Sequence, residues 1–324
     1  MSVLRGRRSP STRRHAADSA AIDVVQGGTT VQGHVRTWTA VVPRQRPARP
    51  ALLVVFHGSN QNAERMRRAS GHGFDRVAGE QGVVVVYPNA YRGLWNDSRA
   101  AADSPARAEG IDDGALVEAV VTGFTASHGI DPARVFAAGF SNGGQLVFRL
   151  AAQLPGRFAG LAAIGATWPT PDNHLGPTPV DPVAMLLMNG TADPIVPFGG
   201  GVISLFGFKP RGTALSAPDT AHLFARLNGI TAAPVVSQLP HRHGSGKTSV
   251  TLTSYLQQGH QPVLDYTVVG GGHVVPNPRH SALRILGRTT HDVDAPAAVW
   301  NFFSALQRRQ GPTGDPLPTR YVGG

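Results

Sequence analysis

Gly139-Phe140-Ser141-Asn142-Gly143 sets a serine between two kinds of chain. Val135 to Ala138, ahead of it, is branched, aromatic and small, as in a short buried strand. Behind it, Leu146, Leu150, Ala151 and Leu154 recur at helical spacing. A serine on such a sharp strand-to-helix corner projects its hydroxyl, and the flanking glycines admit the strained backbone and the neighbouring chain. The chemistry this suits is nucleophilic attack on a carbonyl carbon. The Asn142 amide, at the helix start, would face the negative charge formed in front of Ser141.

A serine hydroxyl needs a base to take its proton and a third group to orient that base. In chains with this corner the acid precedes the histidine. Asp193 fits the acid, because Asn189-Gly190-Thr191-Ala192-Asp193 leaves the apolar run Met185 to Met188. Asp172 and Asp181 compete, but neither directly follows a strong strand. Of 13 histidines, His273 alone directly follows a strand, on Gly270-Gly271-Gly272 after Val268-Val269. His241, His243 and His280 lie in loops without a feeding strand. The second oxyanion donor is expected from the Ser59 N–H, in the loop after Ala51 to Phe56, with Gly58 next in line and His57 shaping that loop. Trp95 and Trp168 follow strands and are candidates for an apolar substrate wall. No His/Asp pair has metal-ligand spacing in a supporting context, and the reaction needs no cofactor.

These groups require an alternation of buried strands and helices from residue 30 onward. Val31 to Val42 reads as one or two antiparallel strands. Ala51 to Phe56, Val83 to Tyr87, Val135 to Ala138, Leu161 to Ile164 and Val183 to Met188 read as buried strands. Val250 to Leu256 and Val263 to Val269 read as two more, joined through Gly259. Helices are expected after Asn60, after the Asp112-Asp113 cap, after Ser141, near Thr220 to Leu227, and after Asp294. The pattern is α/β, a mostly parallel sheet with helices on both faces and ligands at the C-terminal strand ends. Val202 to Ser216 is Gly-rich and irregular, a lid or a long surface loop.

The 324 residues are 41% hydrophobic, enough for one large core, and carry no apolar run long enough to span a membrane. The +10 formal charge is concentrated at the start, where residues 1–50 hold nine arginines against Asp18 and Asp23. The remainder has no nucleic-acid motif or basic-aromatic interleaving, so no nucleic-acid partner is expected. The organisation read is a disordered basic arm at 1–22, a catalytic domain at 23–310 and a tail at 311–324. Zero cysteines excludes disulfides and thiolate chemistry. No apolar stretch follows Arg5 to Arg14, so no secretory or twin-arginine signal is read, and sequence alone points to the cytoplasm.

His57-Gly58-Ser59-Asn60, the Ser141 pentapeptide, Asn189 to Pro197 and Gly270 to His273 occur in this order. With Asp112-Asp113, Ile130 to Val135 and Gly287 to Ala295, they resemble the α/β-hydrolase esterases grouped as polyhydroxybutyrate depolymerases and feruloyl esterases, over about residues 30–308. The resemblance implies a serine esterase with an acyl-enzyme intermediate, the triad Ser141, Asp193 and His273, and a small-molecule or oligomeric ester as substrate. The rival readings are acyl transfer on the same triad and a non-catalytic binding protein on the same fold. The chain departs from its relatives at Ser59 and Ile230, where many carry cysteines, and at Val274-Val275-Pro276, where many carry Trp-Pro. Members are often secreted.

Overall fold

A computed structural model of the chain describes residues 21–101 and 103–309. Its centre is a ten-stranded sheet in the order β1-β2-β4-β3-β5-β6-β7-β12-β11-β10. The strands are β1 (Ile22–Val31), β2 (His34–Pro43), β3 (Leu52–Phe56), β4 (Val84–Pro88), β5 (Val135–Phe140), β6 (Gly160–Ile164) and β7 (Met185–Gly190), then β10 (Val235–Gln238), β11 (Ser249–Tyr255) and β12 (Val263–Val269). β8 (Gly201–Val202) and β9 (Thr213–Ala214) form a separate small hairpin. The six strands from β4 to β12 run parallel, and the antiparallel pairs sit at the two edges.

Helices α1 (Ala63–Ala69), α2 (Gly73–Gln81), α3 (Pro105–Ala108), α4 (Asp113–His128), α5 (Asn142–Gln153), α6 (Ala217–Leu227) and α7 (Ala295–Arg309) complete the architecture. Alternate residues of one strand face opposite sides of a sheet, and β3 divides accordingly. Leu52, Val54 and Phe56 pack with Leu116, Val120 and Phe124 of α4, Leu146 and Leu150 of α5, and Phe224 of α6. Leu53 and Val55 pack with Met66 of α1, Phe74 of α2, and Val299, Trp300 and Phe303 of α7. The expected two-sided α/β arrangement is therefore the observed one, and it is the α/β-hydrolase order of strands.

The edges hold the departures from expectation. β1 starts at Ile22, far upstream of the expected Val31, so the last residue of the arm read at 1–22 enters the sheet. Residues 1–20 and the tail at 311–324 lie outside the described residues. β1 pairs on one side only and most of its residues are exposed, so no apolar run marks it. Its turn into β2 uses Gln32 (φ 49°) and Gly33 (φ 77°), both in the left-handed region that suits a tight hairpin. β10, exposed throughout, has no apolar period either. α2 is also absent from the sequence reading: its preceding residue, His72, adopts φ 55° and provides no side-chain cap.

Two buried ionisable groups bear on stability rather than chemistry. Asp113, the first residue of α4, is held by Arg36 from β2 at 2.6 Å, and burial raises its pKa against that attraction. Asp265 on β12 is buried with an oxygen that has no hydrogen-bond partner among the described residues, and burial pushes its carboxyl up to about 7. Between its ordinary value of 3.8 and about 7, folded Asp265 holds a proton that the unfolded chain releases. Its contribution is thus fully present below about pH 4 and is lost as pH rises through about 7. Denaturant melts between pH 4 and 8 should show stability falling over that window, and Asp265→Asn should flatten this part of the profile.

Candidate active site

β5 ends in the serine corner, and the backbone there explains the glycines. Ser141 sits at φ 56°, ψ −118°, a strained conformation for a residue with a side chain. Its N–H donates to Ile164 O on β6 at 2.8 Å, which fixes the turn against the sheet. A Cβ on Gly139 would strike the Gly143 carbonyl, and one on Gly143 would strike Phe56 O. The first glycine therefore lets α5 fold back on its own strand, and the second lets α5 press on β3.

The Ser141 hydroxyl lies 2.8 Å from His273 Nε2, and His273 Nδ1 lies 2.7 Å from Asp193 Oδ2. The three residues come from the C-terminal ends of β5, β12 and β7. The Asp193 side chain is almost fully buried, and its Oδ1 accepts the Ile195 and Val196 N–H groups at 2.8 and 2.9 Å. The carboxylate therefore presents one oxygen to the loop and the other to the imidazole. His273 is fixed by its N–H donating to Leu286 O at 2.7 Å, and its ring lies 4.9 Å from the Phe140 ring. A Cβ on Gly272 would collide with Leu286 O, so the glycine run is packed against the 284–289 turn rather than open as a hinge. Asp172 instead accepts from Thr213, His241 pairs with Asp292, and Asn277 Oδ1 accepts the His280 N–H, all outside this chain of contacts.

Ser59 and Asn142 flank the serine on the other side. Asn142 opens α5, so its N–H has no partner inside the helix, and the Ser59 N–H has none among the described residues. The Asn142 side chain is locked: Oδ1 accepts the Trp95 N–H at 2.9 Å and Nδ2 donates to Asp97 at 2.6 Å. Asp97 is in turn held by Arg99 at 2.5 Å. His57 has both ring nitrogens engaged, Nδ1 with Gly58 O at 2.7 Å and Nε2 with the Ala90 N–H at 3.0 Å. This makes Nε2 the acceptor and Nδ1 the protonated donor. Burial lowers the pKa of His57 to about 4, so the ring stays neutral.

A cavity of about 200 Å³ opens over the serine, lined in part by Gly58, Ser59, Ser141, Asn142 and His273. Its apolar wall is made by Ile195, Val196, Ile203, Leu205 and Leu286. Trp95 and Trp168, expected there, do not line it. Trp95 is buried behind Asn142 and His57, where Nε1 donates to His57 O at 2.8 Å, and Trp168 packs on Phe148 and Phe224. His57 likewise sits behind the wall while Gly58 is in it. The 202–216 segment contributes Ile203, Leu205 and Arg211, so it forms a flap on the cavity. The sequence reading missed Arg99 and Arg211. The one available signal was a pair of arginines in loops leaving the sheet, which in an arginine-rich chain does not stand out. Among the described residues no cluster could hold a metal ion, and no helix is long and apolar enough to cross a membrane.

The Esterase PHB depolymerase family model matches residues 39–168. The NocK protein of Nocardia uniformis subsp. tsuyamanensis, named as an esterase, is 31% identical over 277 residues, which is 83% of this chain and 78% of that protein. The poly(3-hydroxybutyrate) depolymerase of Ralstonia pickettii is 34% identical over 151 residues, 44% of this chain and 30% of the relative. Among solved structures, the acetyl xylan esterase of Aspergillus awamori superposes with a TM-score of 0.52 at 17% identity, covering 78% of this chain and 95% of that one, and so shares the fold. With the serine corner, the strand order and a relative matched over most of both lengths, the chain belongs to the PHB depolymerase family of esterases, carboxylic-ester hydrolases on the α/β-hydrolase fold.

Proposed function

We propose that this protein is a serine esterase that works through an acyl-enzyme, on short or oligomeric esters of the hydroxyalkanoate or hydroxycinnamate type. The observation that carries the reading is the unbroken path from Ser141 Oγ through His273 to Asp193, at 2.8 and 2.7 Å, opening into the cavity. Ser141 Oγ attacks the ester carbonyl carbon as His273 Nε2 takes its proton. The carbonyl oxygen becomes an oxyanion, held by the Ser59 and Asn142 N–H groups, each contributing about 3 kcal/mol. The intermediate collapses with loss of the alcohol, which leaves with the proton from Nε2. Water then attacks the acyl-serine with His273 as base, releasing the acid and restoring the hydroxyl. Asp193 keeps the Nδ1 proton on its own side throughout, so that Nε2 is free to accept.

The cavity is small, which supports a short acyl or alcohol group close to the scissile bond. A fluorophosphonate probe should label Ser141, as read by peptide mass spectrometry, and should stop hydrolysis of 4-nitrophenyl butyrate in proportion to labelling. A fully active, unlabelled protein would overturn the reading. Methyl ferulate and hydroxybutyrate oligomers, assayed in parallel, rank the two substrate types.

A further inference from the structure

Two guanidinium groups stand in the wall of a cavity that a neutral ester would leave without anions. Arg99 is neutralised, since its Nη2 lies 2.5 Å from Asp97 and both side chains are buried. Arg211 is not. Among the described residues no carboxylate lies within ion-pair distance of it, and its side chain makes one hydrogen bond, from Nη1 to Ser59 Oγ at 2.8 Å. A guanidinium has five N–H donors and does not deprotonate in proteins, so most of its donor capacity is unused.

Arg211 is also held in place. Its N–H donates to Ile203 O at 2.8 Å and its carbonyl accepts from Asn173 Nδ2 at 3.3 Å. Gly212 follows at φ 79°, with Asn173 packed where a Cβ would be. Burial and the nearby Arg99 charge lower its pKa, with the Asp97 carboxylate opposing them in part.

We propose that Arg211 recognises a carboxylate carried by the substrate itself, in the acyl or the alcohol half of the ester, within a few bonds of the carbonyl. The inference rests on the serine-esterase reading. The distance constraint comes from Ser59: the residue whose hydroxyl Arg211 holds is also the one whose N–H faces the oxyanion. A fork-shaped cation with free donors is suited to bidentate contact with a carboxylate. The competing role, in which Arg211 merely props the Ser59 loop, predicts equal effects on charged and neutral esters.

The test compares kcat/KM within matched pairs. For the acyl half, 4-nitrophenyl hydrogen adipate is set against 4-nitrophenyl hexanoate. For the alcohol half, 3-(butyryloxy)butanoate is set against 3-(butyryloxy)butanamide. The anionic member should be preferred by about 10- to 100-fold in one arm, chiefly through KM, and the preference should shrink as salt is raised. The anionic-to-neutral ratio should collapse toward one in Arg211→Gln and be intermediate in Arg211→Lys. A ratio near one in both arms of the wild type, or a ratio unchanged in Arg211→Gln, overturns the proposal. Should Arg211→Gln fail to fold, the wild type and Arg211→Lys decide: a preference that is insensitive to salt and retained by lysine in full overturns it. The underlying reading fails separately, if Ser141→Ala hydrolyses 4-nitrophenyl hexanoate at the wild-type rate.

Discussion

Ser141→Ala should hydrolyse 4-nitrophenyl butyrate roughly 10,000-fold more slowly than wild type, or worse, while folding normally. The substitution removes one oxygen whose single hydrogen bond runs to His273 Nε2, so little structure depends on it. Alanine meets the same strained backbone at φ 56° that serine does, so the native state loses nothing further. The expected signature is thus a collapse in kcat with an unchanged melting temperature, measured on the same preparation. Residual turnover would come from the Ser59 and Asn142 N–H groups acting on a water-driven reaction. Wild-type activity in this variant would remove Ser141 from the mechanism.

Asp193→Asn should lose about as much, roughly 10,000-fold in kcat, and for a reason visible in the loop. Asp193 Oδ1 accepts two N–H groups, from Ile195 and Val196, so the amide oxygen of asparagine must take that place. The amide nitrogen then faces His273 Nδ1, now 2.7 Å from Asp193 Oδ2, and donates to it. An Nδ1 that accepts has no proton of its own, so the proton moves to Nε2 and points at the serine. The ring is then in the wrong tautomer to take the Ser141 proton. The variant is isosteric and should melt near wild type, with both turnover and fluorophosphonate labelling falling together. If labelling stays fast, the carboxylate does not set the tautomer.

The buried parallel strands were legible because both faces are covered: Ala51 to Phe56 and Met185 to Met188 are continuous apolar runs. The residues of the Ser141–His273–Asp193 contact chain were legible because each sits in the turn or loop that leaves a buried strand. β1 and β10 were not, since exposed edge strands carry no apolar run to mark them. The cavity wall was not legible either. Ile195, Val196, Ile203, Leu205 and Leu286 are apolar residues in irregular loops, and only the tertiary packing says which of them meet. The two tryptophans misled for the complementary reason. Large aromatic rings after strands satisfy a core as readily as a site, and the Trp95 N–H groups are spent on Asn142 and His57.

The turn that grips Asp193 has a consequence for anyone wishing to retailor this protein. Ile195 and Val196 shape the pocket with their side chains and steady the carboxylate with their amides. Trimming either side chain would widen the pocket and leave the amide contacts to Asp193 standing. A proline at either position, having no amide hydrogen, would in the same stroke remove one of the two bonds that hold Asp193. Pocket shape is thus adjustable through side chains without touching the hold on Asp193, and through the backbone only together with it.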